Sequence, residues 1–425
     1  MSSEAGKTLP RQEPSVSLET ANLLALGELN EKDTDFSFPG PIESITQDVG
    51  GFRTSLASVG IGFQGIDLDL GEYNLLDNAH PRSPQQYDGQ GPTYSVGIHE
   101  WVFTFDTSHI GLPGGQLLFS PLFYTTSRSV DGPTKLEIGA LNYYQSLFNG
   151  HVGVKFGYGQ LYNYFIGLAG VGGNATIQTN GVSALIPVEL GLPLVPSSGP
   201  FATVNVHTNG GFYDKVGVGR GLSPLGEIPE VRASGVGLRF GAPQAKTVVI
   251  EEFGVNHPFS ATGHQLWVRA GGIYNFTDYS TFDGRTAENW GGYALADYQV
   301  RKFDSANPAS GIFVGASALY ATPQVNPFTA YFEGRIYAIG LFDARPHDVD
   351  SVVIGRNVFS QSIRRRLAAV GTATAPSQFS VAYAHTFRVI PGLLVGPSLA
   401  YSDHPAFLGR FKGALTAGLS LVVLY

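Results

Sequence analysis

The last fifteen residues alternate with period two from end to end. Phe411, Leu415, Leu419, Leu421, Val423 and Tyr425 share one face, with Gly413 and Ala417 between them. Lys412, Ala414, Thr416, Gly418 and Ser420 share the other, which turns apolar only at Val422 and Leu424. Successive side chains on a strand point to opposite sides, so the pattern fixes a strand. An unbroken oily face with aromatics at both ends, opposite a small and polar face, is what a lipid-facing barrel strand carries. Alternation alone does not say which face is wet, because one face of a soluble antiparallel sheet alternates too. Charge content breaks the tie. Lys+Arg 26 and Asp+Glu 34 amount to 14% of 425 residues, against roughly 25% in soluble domains. A water-facing surface of this size needs more ions.

Other segments repeat the scheme. Asp297, Gln299 and Arg301 oppose Ala294, Ala296, Tyr298 and Val300; Glu333 and Arg335 oppose Ala330, Phe332, Ile336 and Ala338. Gln265 and Arg269 oppose Leu266, Val268 and Ala270, and Lys155 opposes Val154, Phe156 and Tyr158. Ser380, Thr386 and Arg388 oppose Phe379, Val381, Tyr383 and Phe387, while His385 falls on the oily side. From Phe52 onward, apolar and aromatic stretches of roughly ten residues are divided by Gly, Pro, Asn, Asp and Ser clusters, the mark of strands and turns. In lipid every backbone polar group must be paired, so strands cross only as a closed barrel. The fold expected is therefore all-β: a closed antiparallel transmembrane β-barrel of about 16 strands, a porin-sized ring. The least defined stretch is Phe201–Gly219.

Spanning helices are excluded by the same texture. The charge-poor stretches Phe156–Val188 and Gly311–Phe332 are interrupted by Asn174, Gln178 and Asn180 and by Pro323, Gln324, Asn326 and Pro327. Residues 1–50 differ from the rest and read as an N-terminal arm, partly helical over Ser17–Leu29 or disordered, or else as a periplasmic interaction segment, ahead of a barrel domain over 51–425. Ser2–Glu13 is polar with no apolar core, so the chain as written opens without a secretory signal; export implies a processed form. Ample apolar content excludes disorder. The absence of cysteine excludes disulfides and thiolate metal sites. A net charge of −8 without long basic runs argues against nucleic acid as a partner.

The C-terminal half resembles the carbohydrate-selective porins of the OprB type. Gly291-Gly292-Tyr293 leads to Ala296-Asp297-Tyr298-Gln299, then to Gly311-Ile312-Phe313-Val314-Gly315 with Pro323 and Asn326-Pro327 beyond. Gly340-Leu341-Phe342-Asp343-Ala344-Arg345 and Asp348 follow. Pro391-Gly392-Leu393, Gly396-Pro397-Ser398-Leu399-Ala400-Tyr401 and His404-Pro405 complete the series. Gly172–Pro200 resembles the family's Asn- and Pro-bearing inserted segment. Ala344 stands where the family usually has Gly, and Ser398 and Ala400 where it usually has an Asp and a Gln. The resemblance implies an outer-membrane diffusion channel of a Gram-negative bacterium, general or biased toward sugars, with lipid and lipopolysaccharide as neighbours and either a monomeric or a trimeric state.

Such a pore makes and breaks no bonds and needs no cofactor. Selectivity follows from width, from charge at the constriction, and from donors and acceptors that replace a solute's hydration. Lys155, Arg239, Arg269, Asp297, Arg301, Glu333, Arg335 and Arg388 are expected to face the lumen, since a charge at mid-depth on the lipid side costs ~2–4 kcal/mol. There they either touch solute or form a ladder that braces the wall. The segment 162–200 is expected to fold inward as a constriction or to pack across the rim. Arg364-Arg365-Arg366 reads as a solvated loop or a lipopolysaccharide phosphate contact, with a place in the lumen as the lesser alternative. Two other readings remain. One is a barrel enzyme of lipase type, with His385 and Ser380 or Ser402 as its pair. The other is a soluble all-β surface or binding protein. Glu251-Glu252 would point to opposite faces of a strand and make a poor acid–base dyad.

Overall fold

The computed structural model describes residues 18–35, 40–76, 93–127, 134–166, 185–226, 230, 236–405, 408–410 and 413–425. Sixteen strands follow in chain order: β1 (Ile61–Asn74), β2 (Thr93–Asp106), β3 (Gly115–Thr126), β4 (Lys135–Leu147), β5 (Val152–Gly159), β6 (Gly199–His207), β7 (Phe212–Arg220) and β8 (Thr247–His257). Then come β9 (Leu266–Ser280), β10 (Thr286–Lys302), β11 (Gly311–Ala321), β12 (Phe328–Ile339), β13 (Val349–Phe359), β14 (Ser377–Ile390), β15 (Leu393–Ser402) and β16 (Ala414–Leu424). Each pairs antiparallel with its chain neighbours, and β16 returns to pair with β1, so the sheet closes. The uncertain stretch 201–219 holds two strands, β6 and β7.

Inward and outward positions alternate as the sequence pattern requires. In β16 Ala414, Thr416, Ser420 and Leu424 are buried inside, while Leu419 and Leu421 stand exposed on the outer wall. Phe103, Phe119, Phe253, Phe332, Ile354, Phe379 and Leu399 are likewise exposed outside. Buried polar groups, among them Gln64, Glu100, Asn205, Glu252, Asn357 and Gln378, point the other way. The oily faces do not meet in a filled interior, which removes the soluble surface-protein reading.

The two ends of the barrel differ. Short connections (107–114, 148–151, 208–211, 391–392) lie at one end, and longer ones (160–198, 221–246, 360–376) at the other. Helix Leu18–Leu26 and the 3-10 turn Gly27–Leu29 begin the described arm. Residues 29–35 then run along the inner wall: Thr104 Oγ1 and Gln116 Nε2 donate to the Leu29 carbonyl, and Gln116 Nε2 also to that of Asn30, at 3.0 Å. The chain returns to the short-turn rim, where Ile45 N–H donates to the Leu424 carbonyl at 2.8 Å and Arg53 to the Phe63 carbonyl.

A guanidinium placed mid-strand on the outer wall tests the orientation. Leu419→Arg is expected to cost about 2–4 kcal/mol of folding stability in liposomes, read from urea titration of the folded fraction. A change within about 0.5 kcal/mol, the usual range for a solvated surface site, would contradict it.

Candidate pore lining

Two ionic networks occupy the inner wall. The first centres on Arg269, which β9 turns inward and buries to 2% exposure. Its Nη1 lies 2.7 Å from Asp35 Oδ2 of the arm and 3.7 Å from Glu252 Oε2. Its guanidinium also donates to the carbonyls of Phe165 and Ile166 in the inserted segment. Glu252 is fully buried and accepts the hydroxyls of Tyr213 and Tyr293 at 2.8 and 2.7 Å. Lys215 Nζ completes the set, 2.8 Å from Asp35 Oδ1 and 2.7 Å from the Tyr164 carbonyl. Next to it Lys155 Nζ meets Glu31 Oε1 at 3.0 Å and stands 4.3 Å over the Tyr164 ring. Each charge has a partner, the condition under which ions survive burial.

The second network joins β10, β11 and β12. Arg335 takes Asp297 with two parallel bonds, Nη2 to Oδ2 at 2.6 Å and Nε to Oδ1 at 3.1 Å. Its Nη1 donates to Glu333 Oε1 at 2.7 Å and to Ser317 Oγ at 2.8 Å. Tyr331 donates to Glu333 and Tyr337 to Asp297. The guanidinium fork is thus committed within the wall, and a bidentate pair of this kind fixes geometry as well as charge.

Of the eight residues expected to line the lumen, Lys155, Arg269, Asp297, Glu333 and Arg335 are buried within these networks. Arg388 also faces in, but at the rim, where its Nε holds Glu43 Oε2 of the arm at 2.8 Å. Two placements need correction. Arg239 lies on no strand; it sits half-buried in the connection between β7 and β8, beside Phe240, whose ring is 6.3 Å from that of Tyr158. Arg301 follows a register shift at Gln299 and pairs with Ile312 on the outer parity. It is exposed, its guanidinium 5.9 Å from the Phe303 ring. The bulge inserts one residue and turns the side chain to the other face.

Asp35, Lys215 and Glu252 were missed. Glu252 follows Val248 and Ile250 on the inner face while Val249 and Glu251 hold the outer, so both faces of the strand read alike. Its neighbour Glu251 does point outward and is exposed. His385 faces outward between Asp350 and Asp348, at 2.7 and 3.4 Å. Ser380 and Ser402 lie on the inner parity, paired with each other across β14 and β15. The Ser–His pair of the lipase reading therefore does not form.

The inserted segment enters the barrel over its described parts; residues 167–184 of the 162–200 stretch lie outside the described residues. Tyr162, Phe165, Ile166, Ile186, Leu190 and Leu192 are buried against Val248, Ile250, Ile273, Leu319 and Phe328 of the inner wall. The short helix Leu185–Glu189 is held by two wall amides, Asn289 Nδ2 to the Glu189 carbonyl at 2.8 Å and Asn275 Nδ2 to that of Leu190 at 3.0 Å. Arm and segment also meet, with Asp35 N–H donating to the Asn163 carbonyl at 3.0 Å. Over their described residues, the arm and the segment both lie against the inner wall.

Glu189 Oε2 accepts the Phe328 N–H at 3.2 Å. Burial pushes its carboxyl well above the usual carboxylate range, the one backbone donor offsetting only part of this. The docked segment thus holds a proton that a released one would lose, so docking is strongest in acid and weakens as pH climbs through the raised value. Single-channel conductance is expected to rise at alkaline pH and to lose that rise in Glu189→Gln; the same pH profile in both proteins would contradict it. Asp35→Ala removes the carboxylate that holds Lys215 and Arg269, at a cost of about 3–5 kcal/mol for a broken buried pair. The arm should become protease-sensitive with the barrel intact, whereas unchanged digestion would refute its anchoring.

Residues 246–423 match a family model described as carbohydrate-selective porin, OprB family. Among curated proteins, none matches in sequence. The high-pH structure of Pseudomonas putida OprB superposes with a TM-score of 0.75 at 17% identity, covering 92% of this chain and 100% of that one. The low-pH structure of the same protein gives 0.54 at 16% identity with the same coverage. The identity is low enough that these likenesses speak for the fold alone. Residues 246–423 thus match the OprB family model, and the barrel as a whole has the fold of the OprB structures.

Proposed function

We propose that this protein is an outer-membrane porin of a Gram-negative bacterium through which small polar solutes, sugars foremost, diffuse passively. The observation that carries the reading is a closed sixteen-strand barrel with its apolar side chains outside and its ionised groups inside. That arrangement suits a hydrocarbon surround and a wet interior. The family match over the C-terminal strands supports the sugar bias.

The geometry divides labour among the lining residues. Arg269 and Arg335 spend their donors on Asp35, Asp297, Glu333 and backbone carbonyls, so they brace the wall and set its local charge. Solute contact falls to groups with capacity left, namely amides, hydroxyls and ring faces near the arm. Opposite charges paired at close range leave little net field, which favours a neutral polyol over a free ion. Arg364 and Arg366 of helix Gln361–Ala369 donate to Thr374 and to the Phe282 carbonyl. This basic helix, at the long-loop end, is where lipopolysaccharide phosphates would meet the protein.

Liposome swelling tests the function directly. Proteoliposomes are expected to swell in glucose faster than in a disaccharide, and faster than in a charged solute of glucose size. Swelling no greater than in protein-free liposomes for every solute would refute the porin reading.

A further inference from the structure

The outer wall is apolar at most mid-depth positions, and β1 and β2 break that rule together. Asp67 and Asp69 are the seventh and ninth of the fourteen residues of β1, and His99 is the seventh of the fourteen of β2. Gln64, Ile66, Glu100 and Val102 are buried on the inner face, so period two turns all three ionisable groups outward. His99 Nδ1 lies 3.3 Å from Asp67 Oδ1, and the Tyr425 hydroxyl donates to Asp67 Oδ2 at 2.7 Å. The Asp69 side chain is 54% exposed. Among the described residues its one cationic neighbour is His99 Nε2 at 3.8 Å, too far for a hydrogen bond.

Ionisable groups at this depth are costly against hydrocarbon, and they mark places where something other than lipid meets the wall. A comparable outward group, His385 with Asp350 and Asp348, sits at the start of β13, at the barrel rim. The β1–β2 cluster has no rim within reach. The wall around it is also low. Gly71 and Gly97 hold outward positions, opposite Ser95 and Thr125 of the neighbouring strands. A Cβ on Gly97 would collide with Thr125 Oγ1, Asp69 Oδ1 and His99 Nε2 alike, so a hydroxyl, a carboxylate and an imidazole converge over one glycine.

A partner that covers groups at mid-depth must itself cross the membrane, and this patch carries its own complement. We propose that it is the contact between two copies of this chain, related by a two-fold axis that runs along the membrane normal past Gly97. Such an axis keeps every residue at its own depth and sets the same patch against itself. The Asp69 carboxylate of one protomer then faces the partner's His99 and the partner's Thr125, an acceptor against two donors. Glycine at 71 and 97 leaves room for the two walls to approach closely, as small residues do at contacts within a membrane. The pairing rests on the barrel standing in a bilayer, as the porin reading does, and goes beyond that reading.

Light scattering of the full chain in mild detergent is expected to give the protein mass of two chains, and dilution a dissociation constant. Asp69→Leu should raise that constant about a hundredfold while leaving solute entry in the swelling assay unchanged. Cross-linking in proteoliposomes supplies a second readout that keeps Asp69 and serves if Asp69→Leu does not insert. The chain has no cysteine of its own, so Thr125→Cys, next to the axis, should join two chains through a short bismaleimide. Ile354→Cys, outward on β13, should not. A mass of one or three chains, a dissociation constant unmoved by Asp69→Leu, or cross-linking at Thr125→Cys no faster than at Ile354→Cys would overturn the pairing. A single-chain mass with solute-driven swelling intact leaves the porin reading standing; loss of swelling in the parent protein sinks that reading instead.

Discussion

Closure of the sheet is the constraint from which the rest of the molecule follows. The seam pairs Ile66–Asn74 of β1 with Leu424–Thr416 of β16, and it leaves no strand edge among the sixteen. Without water to satisfy them, free N–H and C=O groups would each cost several kcal/mol, so a ring is the form in which strands tolerate hydrocarbon. A ring also has only two faces. Once most of the outer one is given to Phe, Leu, Ile and Val, most Lys, Arg, Asp and Glu on the strands are driven inside or to a rim, Glu251 and Asp69 being outward exceptions. The charge deficit of the sequence and the crowding of ions on the inner wall are one fact seen twice.

Inside, the difficulty is reversed, because a wide ring has more wall than its own side chains can fill. Two pieces of chain are folded in to meet it, and each suits the wall it touches. The arm offers Glu31, Asp33 and Asp35 to Lys155, Asn205, Lys215 and Arg269. The inserted segment offers Tyr162, Phe165, Ile186 and Leu190 to an apolar stretch of β8–β12. Ionic contacts hold one and burial of oily surface holds the other. Arg269 bonds to both, through Asp35 and through the carbonyls of Phe165 and Ile166. The two are therefore held by interactions of different kinds, and because the arm's ion pairs are buried, salt screens them far less than it would an exposed pair.

Much of the barrel was legible because its strands alternate cleanly where one face meets lipid. β16 could be read residue by residue, as could Asp297, Glu333 and Arg335, whose strands carry small or apolar residues opposite the ions. Legibility ended where that contrast ended. Val248-Val249-Ile250 is apolar on both faces because its inner side packs the inserted segment, which hid Glu252. Arg301 was misread because a one-residue bulge reverses parity without any mark in the sequence, and Arg239 because it sits in a connection, where period two has no meaning. Asp35 lies in a stretch with no period at all, and its role comes from long-range contacts with β7 and β9. The break in alternation at Val248–Ile250 was itself a usable sign that something apolar sits inside the ring.

The absence of cysteine allows the central claim, oily face outward and ionic face inward, to be measured site by site. Single cysteines carrying a nitroxide at Phe332, Ile354 and Leu419, and at Asn357, Thr416 and Ser420, would be compared in liposomes by their collision rates with oxygen and with a water-soluble nickel chelate. The first three should favour oxygen, which concentrates in hydrocarbon, and the second three the chelate. The opposite partition, or equal rates at both sets, would contradict the account.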